Sequence, residues 1–390
     1  MAASAAPGSS PGPLPAKPRD LRLDFFRGVA LLFIFLNHIP NNAVSWISNR
    51  NYGFSDATEI FVFISGYSVV LAYAATMRHR GFLLGLARIW KRAWQIYIAH
   101  IFLFVIFIAQ IAYLSVRYNE ALAEEMNIGD LFETPHMLML QALMLKFKPV
   151  NMDVLPMYIA LMLAFPFVMW ALLRWPHPVL GASFLLWLAV QFTHWNLPAH
   201  PAGGWTFNPL AWQFLFVLGA WCALQRGKAP WRRLPIRPVT GLAALYLVFA
   251  LVVVATWVYQ PWSAYIPRWL ARLLYPIDKT EMDIWRLMHF LALAWLVILL
   301  VRPEAPFLRW RIMHPLLLCG RHSLQVFCAG IFLSFAAHFV LSEIDPGIVT
   351  QIAVSLAGML VMAGIAWLLT WYKQAEDADK PLGTGRKAAA

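Results

Sequence analysis

A chain of 390 residues that is 61% hydrophobic and only 13% charged, with a mean hydropathy of +0.61, is too poor in charge for a soluble globular domain, where about a quarter of residues are charged. Apolar runs near membrane length recur throughout, which indicates an all-α, polytopic membrane bundle and excludes a porin-like barrel of alternating strands. The formal net charge of +12 is scattered in short loops between these runs, so it points to topology and to anionic lipid or substrate, and not to nucleic acid.

Residues 1–20 are rich in Ala, Pro, Gly and Ser and are expected to form a disordered tail; the first apolar run is too long for the core of a cleavable signal peptide. One membrane domain is expected over 21–373, followed by a second disordered tail at 374–390. Ten transmembrane helices are expected, at roughly 24–45, 58–77, 93–116, 154–174, 178–195, 206–225, 239–259, 284–301, 316–341 and 347–372. The apolar stretch 135–147 is too short to cross ~30 Å of hydrocarbon. It is expected as a re-entrant or surface helix in a long outer loop, 117–153.

With the N-terminus inside, the outer segments keep only Arg50, Arg117, Lys146, Lys148, Arg268, Arg272 and Lys279. Arg27, Arg286 and Arg321 stay within or at the ends of spans, and every other Lys and Arg falls inside. Both termini are therefore expected in the cytoplasm. Trp46, Trp195, Trp205 and Trp262 lie in outer segments, where tryptophan serves as an interface anchor or as a stacking surface for sugar rings. Cys222, Cys319 and Cys328 lack metal-ligand spacing and suit buried free thiols.

The chemistry centres on Leu-Asp24-Phe-Phe-Arg27-Gly, followed by His38. Arg27 and His38 are eleven residues apart, which puts them within roughly 20° on a helix and about 16 Å apart along it, with Asp24 near the same face. Ionisable groups inside a span normally face a site or a pathway. Asp56 and Glu59 open the next span on one face at the same outer level, so His38 with either carboxylate has the parts of an oriented general base. Arg27 suits a phosphate or carboxylate ligand, or a pair with Asp24. Arg88, Arg92, Tyr97 and His100 run from a basic mouth into the third span and suit a polyphosphate ligand with a long tail. Arg321, His322 and Ser323 repeat a cation and an imidazole at the same end. No Gly-rich phosphate loop, HExxH or GxSxG motif is present.

LDFFRGVA with the Arg-x10-His spacing resembles the first helix of the acyltransferase-3 superfamily. Phe61-Val-Phe-Ile-Ser65-Gly66-Tyr67 is similar to its second-helix motif, and Gly320-Arg-His-Ser323-Leu324 to its late G-x-SL motif. HIPNN after the histidine and RAWQIYIAH opening the third span resemble the OpgC branch, over nearly all of residues 20–372. The resemblance implies a ten-helix bacterial inner-membrane enzyme that succinylates osmoregulated periplasmic glucans. It further implies acyl-CoA, succinyl-CoA for this branch, as a donor from the cytoplasm, with no tightly bound cofactor or metal. The partners implied are the glucan acceptor, the lipid bilayer and glucan-synthesis proteins. His38 matches the family's essential histidine, Arg27 its essential arginine and Asp24 the motif acid. Where many members carry a second histidine after the late motif, this chain has Gly330.

The expected mechanism is O-acyl transfer, with His38 as base oriented by Asp56 or Glu59. Arg27, Asp24, Arg88, Arg92, Tyr97, His100, Arg321, His322 and Ser323 form the expected donor-binding set. The alternative is a proton-coupled transporter of a small anionic or sugar substrate, using His38 with Asp56 and Glu59 as relay.

Overall fold

The structure, a computed structural model, describes residues 20–226, 228 and 233–379. The expected tail at 1–20 lies outside the described residues but for Asp20, and so does the 374–390 tail from Lys380 onward. Helix packing is the only architecture among the described residues, with one isolated bridge between Pro198 and Gly204.

The first helix, α1 (Leu21–Asn37), is capped by Asp20 and stops at His38, because Pro40 removes a donor and Asn41 turns left-handed at φ 54°. Helices α2 (Ala57–Arg80) and α3 (Phe82–Arg117) are joined at Gly81, where φ is +88°. Three short helices follow: α4 (Ala121–Glu125), α5 (Asp130–Glu133) and α6 (Pro135–Leu143). Next come α7 (Val154–Leu172), α8 (Pro176–Thr193), α9 (Pro209–Leu224), α10 (Ile236–Val258), the short α11 (Arg268–Leu274) and α12 (Ile284–Leu300). The late motif breaks the expected ninth span into α13 (His314–Arg321) and α14 (Ser323–Glu343), and α15 (Ile348–Ala378) ends the bundle.

The ten-span expectation is corrected here. Among the described residues, six helices are long and apolar enough to cross a membrane: α2, α3, α7, α10, α14 and α15. The apolar runs at 24–45, 206–225 and 284–301 become helices of 17, 16 and 17 residues. At 1.5 Å per residue these span about 25 Å, short of the ~30 Å hydrocarbon core. Composition alone cannot see where a cap cuts a run: Asn208 accepts a hydrogen bond from the helix it precedes, so α9 starts late, while α12 begins where expected behind its Asp283 cap and reaches only 17 residues. Pro176, His177, Pro178 and Gln191 dilute the apolarity of α8.

Motif glycines set how closely the helices approach. A Cβ on Gly28 would overlap the Leu316 carbonyl oxygen, and one on Gly320 the Asp24 carbonyl oxygen, so α1 and α13 touch backbone to backbone. Gly66 and Gly219 do the same between α2 and α9, against the Phe216 and Phe63 carbonyls. Gly320→Ala therefore forces two backbones apart, at about 1–3 kcal/mol, the usual cost of overpacking. The expected result is a clearly lower melting temperature of the detergent-solubilised protein. Gly241→Ala, in α10 with nothing within 4 Å, is the tolerated control.

Candidate functional site

Two polar centres lie at different levels of the bundle. At the α1 N-terminal level, Arg27 donates to the Gly320 carbonyl (3.3 Å), the Ile64 carbonyl (3.4 Å) and the Ser68 hydroxyl. The first motif is thereby bonded to the second-helix motif and the late motif at once. Arg321 stands 3.6 Å from the buried Asp24 carboxylate, a second tie between α1 and α13. A cavity of about 140 Å³ is lined by Arg27, Arg92, Ser65, Ser68, Tyr73, Tyr158 and Ser323, with Phe61, Leu155, Leu324 and Phe327 among its apolar walls. It gathers two cations and several hydroxyls from α1, α2, α3, α7 and α14, and it reaches the first turn of α7 at Leu155.

Of the expected donor-binding set, Arg27, Arg92 and Ser323 meet in this cavity. The others do not line it. Arg88 donates to Thr76 Oγ1 (2.8 Å) and is exposed, while His322 Nε2 pairs with Thr370 Oγ1 on α15 (2.8 Å). Tyr97 donates to the Leu143 carbonyl (3.0 Å), and His100 is fully buried. Tyr97 faces the last residue of α6, and His100 feels the charge of Lys148 in the segment after it, rather than the basic mouth. That segment folds back against α3: Phe147 packs edge-on to Phe104 at 6.3 Å, one turn beyond His100.

At the opposite end of α1, His38 is the C-cap, and its Nδ1 is buried with no hydrogen-bond partner among the described residues. Asp56 caps α2, accepting from the Thr58 amide (2.7 Å), and Glu59 accepts from the Asp56 amide (2.8 Å), a complete capping box. Neither carboxylate bonds to His38. Lys279 Nζ lies 2.6 Å from Asp56 Oδ2, and Arg286 Nη2 bridges Asp56 (3.3 Å) and Glu59 (2.6 Å). The two acids and two cations neutralise one another, as buried charges must. Burial works to raise the Asp56 carboxyl, but the Lys279 and Arg286 charges, with hydrogen bonds from Lys279 and the Thr58 amide, outweigh it and hold the group well below the usual carboxylate range. Asp56 and Lys279 both act electrostatically on the His38 ring.

Lys279 is delivered by a pinned loop. Trp212 Nε1 donates to the Lys279 and Thr280 carbonyls (3.1 and 3.2 Å), the Asn208 amide to the Thr280 carbonyl (3.1 Å) and Trp187 Nε1 to the Met282 carbonyl (3.0 Å). Beside it, Ser55 donates through both its amide (3.3 Å) and its side chain (2.7 Å apart) to the Nδ1 of the buried His289 on α12. Lys279, Arg286 and His289 were not anticipated as site residues. An arginine within an apolar run is itself a sign of function or pairing, but its partners lie 227 and 230 positions away in the chain. Of the outer tryptophans, Trp205 is buried under the Lys148 ammonium, 4.1 Å from its ring, while Trp46, Trp195 and Trp262 are exposed. The three cysteines are free, Cys319 buried and the others half-buried. No group of three or more His, Cys, Asp or Glu side chains among the described residues stands where it could hold a metal ion.

Helices of membrane length around a cavity lined by cations and hydroxyls define a multi-pass membrane protein. A family model described as the OpgC protein matches residues 19–374, and the chain belongs to that family. No curated protein and no solved structure matches it. Family membership and the membrane-length helices together support a membrane acyltransferase.

Proposed function

We propose that the protein moves a succinyl group from cytoplasmic succinyl-CoA to hydroxyls of a periplasmic glucan in the bacterial inner membrane, with both termini cytoplasmic. The observation that carries the reading, in a chain of the OpgC family, is the cavity that joins Arg27 and Arg92 to Ser65, Ser68 and Ser323. A thioester arm with anionic groups needs fixed cations and hydroxyl donors in a narrow space, and these supply both. Arg88 and Arg321, at the same end of the bundle, add positive charge for the donor's phosphates. The cavity extends to Phe61 and Leu155, toward the level of His38 and Asp56.

His38 then takes the proton from the attacking sugar hydroxyl, which adds to the thioester carbonyl; the tetrahedral intermediate collapses and expels the CoA thiolate, which takes up a proton. Nδ1 is enclosed, which leaves Nε2 for the acceptor. Asp56 acts on the histidine through its charge, alongside that of Lys279, rather than by a direct bond, and Glu59 is tied to the same cluster through Arg286.

Arg27→Lys tests the donor end. Lysine keeps the charge but cannot reach two carbonyls and a hydroxyl with a planar fork. Transfer from labelled succinyl-CoA to glucan in membranes containing the variant is expected to fall about 10- to 100-fold, the worth of one or two charge-assisted hydrogen bonds. Wild-type transfer by Arg27→Lys at equal protein level would remove Arg27 from donor binding.

A further inference from the structure

We propose that Lys148 and His100 form a carboxylate-binding subsite that receives the far end of a dicarboxylic acyl group and so selects it over an uncharged one. The inference rests on the acyl-transfer reading above. His100 is 0% exposed on α3, and neither ring nitrogen has a hydrogen-bond partner among the described residues. A buried imidazole left in that state costs about 1–3 kcal/mol, a cost that a ligand able to accept a hydrogen bond from the ring relieves. The charged group that acts on this ring is Lys148.

Lys148 is itself only 9% exposed, and among the described residues no carboxylate lies within ion-pair distance of it. Its ammonium donates to the Leu145 carbonyl (3.2 Å) and lies 4.1 Å from the centre of the Trp205 ring. These contacts hold the side chain without an ion pair among the described residues, whereas Lys279 and Arg286 are paired with two acids. Two further contacts fix the surroundings. The His200 amide donates to the Lys146 carbonyl (3.0 Å), locking the 196–205 loop onto this segment, and Phe147 lies against Phe104 on α3. A cation and an unbonded imidazole, enclosed by aromatic rings, make a site for one small anion.

Asp153, just before α7, is the acid that faces Lys148, and it also feels Lys279. Burial raises the Asp153 carboxyl above its ordinary value, which reduces its competition for the lysine. Asp153 lies two residues before Leu155, which lines the end of the cavity, so chain proximity places the subsite near the proposed path of the thioester. Burial lowers the Lys148 ammonium to about 8, against a smaller opposing effect of Asp153. As pH rises through that value the cation is lost, and transfer of an acidic acyl group falls with it.

The test compares succinyl-CoA with acetyl-CoA as donors to the same glucan, in membranes carrying wild type, Lys148→Met, Lys148→Arg and His100→Gln. Wild type is expected to favour succinyl. Lys148→Met lowers the succinyl-to-acetyl rate ratio at least about tenfold, and Lys148→Arg restores much of it. Above pH 8 the wild-type ratio falls toward that of Lys148→Met. Should Lys148→Met fail to accumulate, His100→Gln on a separate element decides, with a fall in the same ratio expected. An unchanged ratio in a variant that accumulates, or an equal loss with both donors, overturns the subsite and leaves the acyl-transfer reading standing. Absence of transfer from either donor by wild type overturns the reading itself and the subsite with it.

Discussion

His38→Ala lowers glucan acylation by about two to four orders of magnitude while the protein still accumulates in the membrane. A positioned general base contributes roughly 10²- to 10⁴-fold. The side chain forms no hydrogen bond through its buried Nδ1, so its removal breaks no bonded network. His289 is the nearest alternative in kind, but its Nδ1 is already committed to Ser55, and a Cβ on Gly53 would overlap its Nε2 edge. The measurement is acyl transfer per unit of immunoblotted protein. Unchanged transfer by His38→Ala would exclude the histidine as base and leave the Arg27 cavity without a reacting partner.

Arg286→Met has the largest expected effect on stability. The guanidinium is 8% exposed and bridges Glu59, fully buried, and Asp56. Removing one member of such a cluster leaves an uncompensated buried charge, which costs about 3–5 kcal/mol. Lys279 continues to serve Asp56 at 2.6 Å, so the burden falls on Glu59. Adding Glu59→Gln to the variant removes that charge and should recover a large part of the loss, which separates charge compensation from packing. Thermal unfolding in detergent reads both. Equal melting of Arg286→Met and wild type would show that α12 is not held to α2 by this cluster.

The capped Asp56 also sets an acid limit. Its carboxyl is held well below the ordinary carboxylate value, so its stabilising contribution is complete above about pH 4 and fades only as pH falls through the depressed folded value.

The local sequence was enough for the all-α class, for the α-helical setting of Asp24 and Arg27, for the placing of Asp56 and Glu59 at the start of one helix and for the join of three motifs in one protein. Each of these depends on neighbours a few residues away or on composition. Helix length was less legible. The apolar runs were visible, yet four of the ten expected spans fell short: Pro40 ends α1 early, the Asn208 cap delays α9, α12 reaches only 17 residues, and polar residues dilute α8. The expected donor set split for a similar reason. Periodicity put Arg88, Arg92, Tyr97 and His100 on one stretch of helix, but only packing decides which side faces the cavity and which faces the folded-back 143–148 segment.

Long-range pairing belongs to the tertiary structure alone. Asp56 and Glu59 read as partners for His38 because the three share a level, but electrostatics favours a full cation over a neutral ring, and Arg286 and Lys279 arrive from more than 200 residues downstream to take both carboxylates. By itself, then, the sequence determined what kind of molecule this is and which short motifs carry its chemistry. Which buried charge meets which counter-charge, and which imidazole is left without a partner, was decided by how the helices pack, because a charge inside the bundle is settled by whatever distant group the fold brings within a few ångströms.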